Sequence, residues 1–344
     1  MLSYILKRVL LMVPTLLGAL TITFVVIQFV PGGPVEQIMA EARASQKGEG
    51  SAYKAGRDSD AKQIAELKKL YGFDKPAHVR YVDMLGNFLR FDLGRSFLHN
   101  KDVWQLIKEK LPVSVSLGLW TFLLSYLISL PLGILKAVHE GSRFDVLSSL
   151  VVLIGYAIPG FVLGIFLIVL FCGGTFLEWF PLRGLTSDNW SDLTWPARIA
   201  DYFWHLALPL VCMVIGSFAV VTMLTKNTFV EEMRKQYVLV ARAKGLSQRR
   251  VLTKHIFRNA LIPLVTGFPA AFIGAFFAGS VLIETLFSLD GLGLLSFESV
   301  VRRDYPVVLG SLYLFTLIGL VVKLISDLLY VVVDPRVQFN AVGK

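Results

Sequence analysis

Of 344 residues, 55% are apolar and only 17% are charged, whereas a soluble domain carries ~25% charged residues, so an ordinary soluble fold is excluded. The net charge of +9 would suit a nucleic-acid binder, but nearly half the positive charge falls in short segments beside long apolar runs, where membrane topology explains it more simply. Cys172 and Cys212 lie in or at the edge of apolar runs and suggest neither a disulfide framework nor a zinc site.

Lys7 and Arg8 precede an uncharged run from Val9 to Val30. The run is longer than the ~7–15 residue core of a secretory signal and long enough for a ~30 Å hydrocarbon layer. It ends in PGGP (Pro31 to Pro34), which stops a helix. Residues 1–30 are therefore expected to form an uncleaved first span with its N-terminus on the cytoplasmic side. Residues 31–110 form the main polar portion. Glu41 to Lys62 lacks apolar periodicity and is expected to be mobile. Ile64, Leu67 and Tyr71 recur at helical spacing up to the GFDKP turn (Gly72 to Pro76), and Tyr81, Leu85, Phe88 and Leu89 form a second helical stripe. This portion is expected on the periplasmic side, closing the outer mouth, touching a binding protein, or lying as a passive lid.

Residues 111–333 hold five further spans. The second runs from Val113 to Leu135, and a short loop with Lys136, His139 and Arg143 then fits the cytoplasmic side. The third, Val146 to Phe171, is interrupted at GYAIPG (Gly155 to Gly160). A proline here frees backbone groups that must face protein or a water-filled path, so Tyr156 and Pro159 are either pathway residues or part of a packing kink. Residues 172–204 form a second outer loop with Trp179, Phe180, Trp190, Trp195 and Tyr202, aromatics suited to a membrane interface. The fourth span runs from His205 to Thr225. The fifth runs from Leu261 to Ile283, with Gly267, Pro269, Gly274 and Gly279 for close contact. Glu284 opens ETLFSLDGLGLL, and either meets a substrate ammonium at the outer gate or caps its own glycine-rich turn. The sixth span, Pro306 to Val333, carries Lys323 and Asp327 one turn apart, a spacing that lets them pair. The tail is 334–344. Six spans place both termini in the cytoplasm.

The loop at 226–262 is the most basic stretch, with nine Lys or Arg against Glu231 and Glu232 between Lys226 and Pro263. A short helix is expected to end at Gly245 in the left-handed conformation, with Ser247 as N-cap of a second helix. On that second helix Leu252, Ile256 and Ala260 would share one face, and Arg250, Lys254 and Arg258 the other. The alternative is a basic amphipathic helix lying on anionic membrane lipid. There is no P-loop: the nearest string, GAFFAGS (Gly274 to Ser280), lacks the lysine and lies inside a span, and neither HExxH nor GxSxG is present.

Several strings resemble those of one transporter family: PGGPV, YGFDKP, LPVSVSLGLW (Leu111 to Trp120), FPLRGL (Phe180 to Leu185), LTKNTFVEEMRKQYV (Leu224 to Val238), ARAKG with RNALIP, FSLDGLGLL, RDYPV (Arg303 to Val307) and DPRVQF (Asp334 to Phe339). Together they resemble the inner-membrane permeases of oligopeptide and dipeptide ABC importers, and within them the Yej-type subgroup that takes up oligopeptides and microcin C. The basic loop resembles the family's EAA loop, but Leu239 stands at the Glu position and Phe257-Arg258 at the Leu-Pro pair, which points away from sugar and amino-acid importers. The resemblance implies an all-α, six-helix type I permease without catalytic residues, metal or cofactor of its own, ATP and magnesium being held by a separate ATPase. It implies a heterodimer with a second permease, an ABC ATPase below and a periplasmic peptide-binding protein above, in the bacterial inner membrane. Ala241, Arg242, Ala243, Lys244 and Gly245 are implied as the segment that couples to the ATPase. A dipeptide, nickel-chelate or opine importer is the nearest alternative. An ion-coupled secondary transporter would instead show inverted repeats and midplane charges.

Overall fold

The computed structural model describes residues 2–29, 74–173, 176–277 and 281–333. The expectations for the PGGP stop, the 41–62 segment, the 64–71 helix and the DPRVQF tail lie outside them. Four helices among the described residues are long and apolar enough to cross a membrane. They are α1 (Leu2–Phe29), α3 (Val103–Val138), α6 (Trp195–Met233) and α13 (Tyr305–Val333). Helix α2 (Ala77–Leu89) lies between the first two. All four long helices overrun the apolar runs that announced them. Helix α3, at 36 residues, is about 54 Å long, and α6, at 39 residues, about 58 Å, both well beyond a ~30 Å layer. Trp195 and Tyr202, read as loop residues, are thus on α6, and Lys7 and Arg8 are within α1.

The third expected span is broken. Helices α4 (Arg143–Ala157) and α5 (Gly160–Phe171) meet at 89° across Ile158 and Pro159. Pro159 cannot donate to a continuing helix, and Ile158 before it is held extended at φ −87°, ψ 117°. The expected fifth span is occupied by α10 (Ile262–Phe277), followed by α11 (Val281–Leu286); α12 (Leu292–Val301) precedes α13.

The chain divides into two compact units, residues 2–111 with 295–320, and residues 112–294 with the last part of α13. In the second, α6 is the axis. Gly133 of α3 lies against it so closely that a Cβ would stand 2.5 Å from Thr225 Cβ and 2.8 Å from the Thr222 carbonyl oxygen. At Gly160, the start of α5, a Cβ would stand 2.6 Å from the Cys212 carbonyl oxygen. Small residues thus bring backbones together where apolar side chains alone would hold them apart. Leu117, Leu206, Leu210, Cys212, Ile283 and Phe287 fill the core of this unit.

In the other unit, Phe88 of α2 packs tilted against Tyr313 of α13 at 5.0 Å, and Phe24 of α1 meets Tyr81 at 5.2 Å. On α2 Phe88 is buried and Tyr81, Met84 and Leu85 are half-buried on the same stripe; Leu89, read as part of that stripe, is 82% exposed at the helix end. Asp304, fully buried, accepts hydrogen bonds from the Ser96 hydroxyl and from the Phe97 N–H at 3.0 Å, which fastens the 96–99 turn to the start of α13. A cavity of about 550 Å³ opens beside them, lined by Phe24, Arg80, Phe88, Arg95 and Tyr305 among others.

The α3–α6 contact makes a prediction. Gly133→Val must push Thr222 and Thr225 away and should cost about 1–3 kcal/mol through overpacking, seen as a lower melting temperature in detergent. Gly86→Ala, on the exposed side of α2 with nothing within 4 Å, should be neutral or stabilising by up to ~1 kcal/mol. Equal stability of the two variants would contradict the crossing.

Candidate functional site

The basic loop begins within the end of α6, and α7 (Gln236–Ala243) starts three residues after Met233. Gly245 has φ +78°, its N–H donates to the Arg242 carbonyl at 2.9 Å, and the Leu246 N–H donates to the Ala241 carbonyl at 3.3 Å. This pair of bonds is the Schellman closure, which requires a left-handed residue at that point. No atom lies within 4 Å of where a Gly245 Cβ would be, so the glycine is needed for its backbone angle and not for space. Ser247 occupies the N-cap position in extended conformation, but its hydroxyl makes no capping bond. A short turn α8 (Gln248–Arg250) then runs into a π-helical stretch, Val251–Ile256, and α9 (Phe257–Ala260).

The π-stretch corrects the expected face. Its i→i+5 bonding puts Val251 beneath Ile256, so the buried row is Val251, Ile256 and Ala260, and Leu252 is only half-buried. Arg250, Lys254 and Arg258 are exposed on the other side, as the sequence suggested. Val238 and Ala241 of α7 join that row, Phe229 of α6 and Ala137 of α3 in one small core. Ala241 therefore faces inward and seats α7 on its own bundle, while Leu239, Val240, Arg242, Ala243, Lys244 and Gly245 are exposed. Glu232 anchors the start of α7, accepting from Lys235 and, at 2.7 Å, from the Tyr237 hydroxyl. The Glu232 hydrogen bond and charge hold the Lys235 ammonium above the ordinary lysine range.

One group of residues was missed by sequence reasoning. Lys136, at the end of α3, is 0% exposed. Its ammonium donates to the Asp145 carbonyl at 2.9 Å and to the Ser148 and Ser149 hydroxyls at 2.7 Å each, and lies 3.2 Å from the Asp145 carboxylate. Lys226 of α6 meets both oxygens of that carboxylate at 2.7 Å. The Gly141 N–H also donates to it, at 3.1 Å. The available signal was three charges, each closing an apolar run on the side of the basic loop.

Of the pathway candidates, Tyr156 is 56% exposed on the last turn of α4, and Pro159 makes the bend. Glu284 is 0% exposed. Its carboxylate accepts from the Leu294 N–H at 2.7 Å and fills the space over Gly291, where a Cβ would stand 2.6 Å from the carboxyl carbon. Ser114 likewise accepts from the Leu292 N–H at 2.8 Å. Glu284 thus caps its own glycine-rich turn at the head of α12, and in this conformation offers no surface to a substrate. Lys323 is exposed and Asp327 half-buried on α13.

Comparison with known proteins agrees with this architecture. The family described as binding-protein-dependent transport system inner membrane component matches residues 129–339. The chain is 53% identical to the peptidoglycan transport system permease protein YejB of Agrobacterium fabrum, over 98% of both chains. It is 51% identical to the inner membrane ABC transporter permease protein YejB of Escherichia coli O157:H7, over 98% of this chain and 99% of the other. It is 34% identical to the oligopeptide transport system permease protein AppB of Bacillus subtilis, over 98% and 100%. A chain of the MetNI methionine ABC transporter in an inward-facing conformation shares the fold, with a TM-score of 0.50 and 16% identity over 67% of this chain and 97% of that one. The chain is thus an all-α, multi-pass membrane protein of the binding-protein-dependent inner-membrane permease family, a permease subunit of an ABC importer akin to the oligopeptide and Yej-type permeases.

Proposed function

We propose that this permease carries peptides from the periplasm to the cytoplasm, driven by ATP hydrolysis on a separate subunit that docks on α7. The observation that carries the substrate class is what its relatives are named for: peptidoglycan transport, oligopeptide transport and, at 34% identity, di/tripeptide transport in Pseudomonas aeruginosa. What these cargoes have in common is a peptide portion. Uptake of labelled oligopeptides, of a peptidoglycan-derived peptide and of microcin C, each competed against the others, separates the members of this class. Failure to take up any of them would sink the proposal. A second permease would complete the pathway as a heterodimer, and a periplasmic peptide-binding protein would deliver the cargo.

The exposed residues of α7 support the docking role. Leu239, Val240 and Ala243 offer small and aliphatic contacts, and Arg242 and Lys244 offer cations for acids or helix C-termini of the ATPase. Ala241 and Gly245 fix the helix's seat and its end. A subunit transmits work only if its two states bind the docking helix differently, so the aim of α7 is the quantity that matters.

Three measurements test this reading. The charge bias of the 226–262 loop puts that loop in the cytoplasm. In a background without Cys172 and Cys212, cysteines at positions 50 and 188 of intact cells should react with an impermeant label, and one at 248 should not. Outside labelling at 248 would reverse the orientation. The purified chain alone should neither bind nor hydrolyse ATP, since nothing in its sequence matches a P-loop; turnover that persists after every co-purifying ATPase is removed would count against a separate motor. Gly245→Val forces a β-branched residue to φ +78°, which costs about 1–3 kcal/mol and re-aims α7. Insertion should be normal, while assembly with the ATPase, or its stimulation by loaded binding protein, should drop sharply. Arg242→Glu should act in the same direction. Normal transport by Gly245→Val at normal abundance would reduce the loop to an interfacial basic helix.

A further inference from the structure

Neither membrane topology nor the docking face of α7 accounts for the cluster of Lys136, Asp145 and Lys226. A lysine at the mouth of an apolar span ordinarily lays its stem on apolar neighbours and extends its head to water. Lys136 does the opposite. It is wholly buried, and its ammonium protons are taken up by one carbonyl and two hydroxyls of α4. Asp145, 4% exposed in the first turn of α4, then pairs with both lysines, accepting from Lys226 of α6 and lying in ion-pair contact with Lys136 of α3. A single carboxylate therefore ties three helices together at one level.

The place of this tie matters. Helix α6 continues unbroken from Lys226 to Met233, about 10 Å, and α7 starts three residues later. Helix α4 runs from Asp145 about 20 Å to the 89° bend at Ile158 and Pro159. Gly133 against Thr222 and Thr225 closes α3 on α6 one turn above, so neither helix slides past the other at that level. A purely apolar joint would serve stability as well or better, since replacing buried ion pairs by apolar side chains is often neutral or stabilising. What the carboxylate adds is direction: in this setting of α4 on α6 Lys226 meets both Asp145 oxygens at 2.7 Å, and a shift of α4 would lengthen one or both contacts.

We propose that Asp145, held by Lys136 and Lys226, is a positioning residue for transport, the pin that makes the bent arm α4 follow the end of α6 when α7 is displaced. The proposal rests on α7 being the docking helix. Its test is Lys226→Met in the complete importer, with its ATPase, second permease and binding protein, reconstituted in lipid vesicles. This change cuts only the α6 side of the pin. It leaves the Lys136–Asp145 pair with Ser148, Ser149 and the Gly141 N–H, and removes the one ammonium of the cluster that already reaches solvent, at 16% exposure. The intact complex should assemble at normal abundance with unchanged basal ATP hydrolysis. Peptide uptake per ATP, and stimulation by loaded binding protein, should fall by about tenfold, inside the usual range of coupling energies. Lys226→Arg, which can still grip a carboxylate with two donors, should recover most of it.

Wild-type coupling in Lys226→Met would overturn the proposal. So would loss of assembly, which would make the cluster a folding element only. Gly245→Val measured in parallel separates the two layers of argument. If it uncouples while Lys226→Met does not, α7 remains the docking helix and the pin is wrong. If both behave as wild type, the docking assignment itself has failed.

Discussion

Backbone donors buried away from water must find partners inside the protein, and at several breaks in its helices this chain supplies them with buried carboxylates. Three buried carboxylates do the same kind of work. Glu284 takes an N–H at the head of α12, Asp145 takes one from the turn before α4, and Asp304 takes those of the 96–99 turn. Each would otherwise leave donors unsatisfied at about 1–3 kcal/mol apiece. Each also holds a change of chain direction at its own turn, whereas the 89° bend at Ile158 and Pro159 is made by the proline. Asp145 differs from the other two in also carrying two ammonium groups, and this double duty is what joins the bend to the long helices.

Much of the straight architecture was legible because an uncharged run longer than ~17 residues has few alternatives to a membrane helix. The ends of those helices were not. Helix α3 starts at Val103, ten residues ahead of its uncharged run, since Gln105 to Lys110 are good helix formers and hydropathy does not stop a helix. The break at Ile158 and Pro159 was readable from the proline, but its 89° angle depends on how Gly160 lies against the Cys212 carbonyl, a contact between residues far apart in the chain.

The loop shows the same division. Gly245 was readable because a helix end at that point calls for φ > 0, and Gly meets that demand without strain. The buried face was off by one residue, Val251 in place of Leu252, because a 3.6-residue period was assumed where the chain adopts i→i+5 bonding. Nothing local in the sequence signals that change of period. Lys136 and Lys226 had a ready explanation as charges at span ends, and their common partner lies 9 residues from one and 81 from the other, so no local pattern links them.

If α7 is the docking helix proposed above, its loop must be held to the bundle more firmly than the work it would carry. Driving a two-state equilibrium from one end to the other takes about 5.5 kcal/mol. The joint under α7 buries Phe229, Val238, Val251 and Ile256 almost completely. At about 1.5–3 kcal/mol for each such side chain their burial is worth roughly 6–12 kcal/mol, an upper estimate because the unfolded chain is itself partly collapsed. That is comparable to or above such a load, so under the proposed docking role a displaced α7 would carry the ends of α3 and α6 with it in preference to peeling away. The Lys235–Glu232–Tyr237 contacts add directional restraint at the front of α7 but little strength, being partly exposed. Strength in this joint is therefore apolar, and direction is polar. The same separation holds one level deeper, where Gly133 brings α3 and α6 together and the Asp145 carboxylate sets where α4 stands on them.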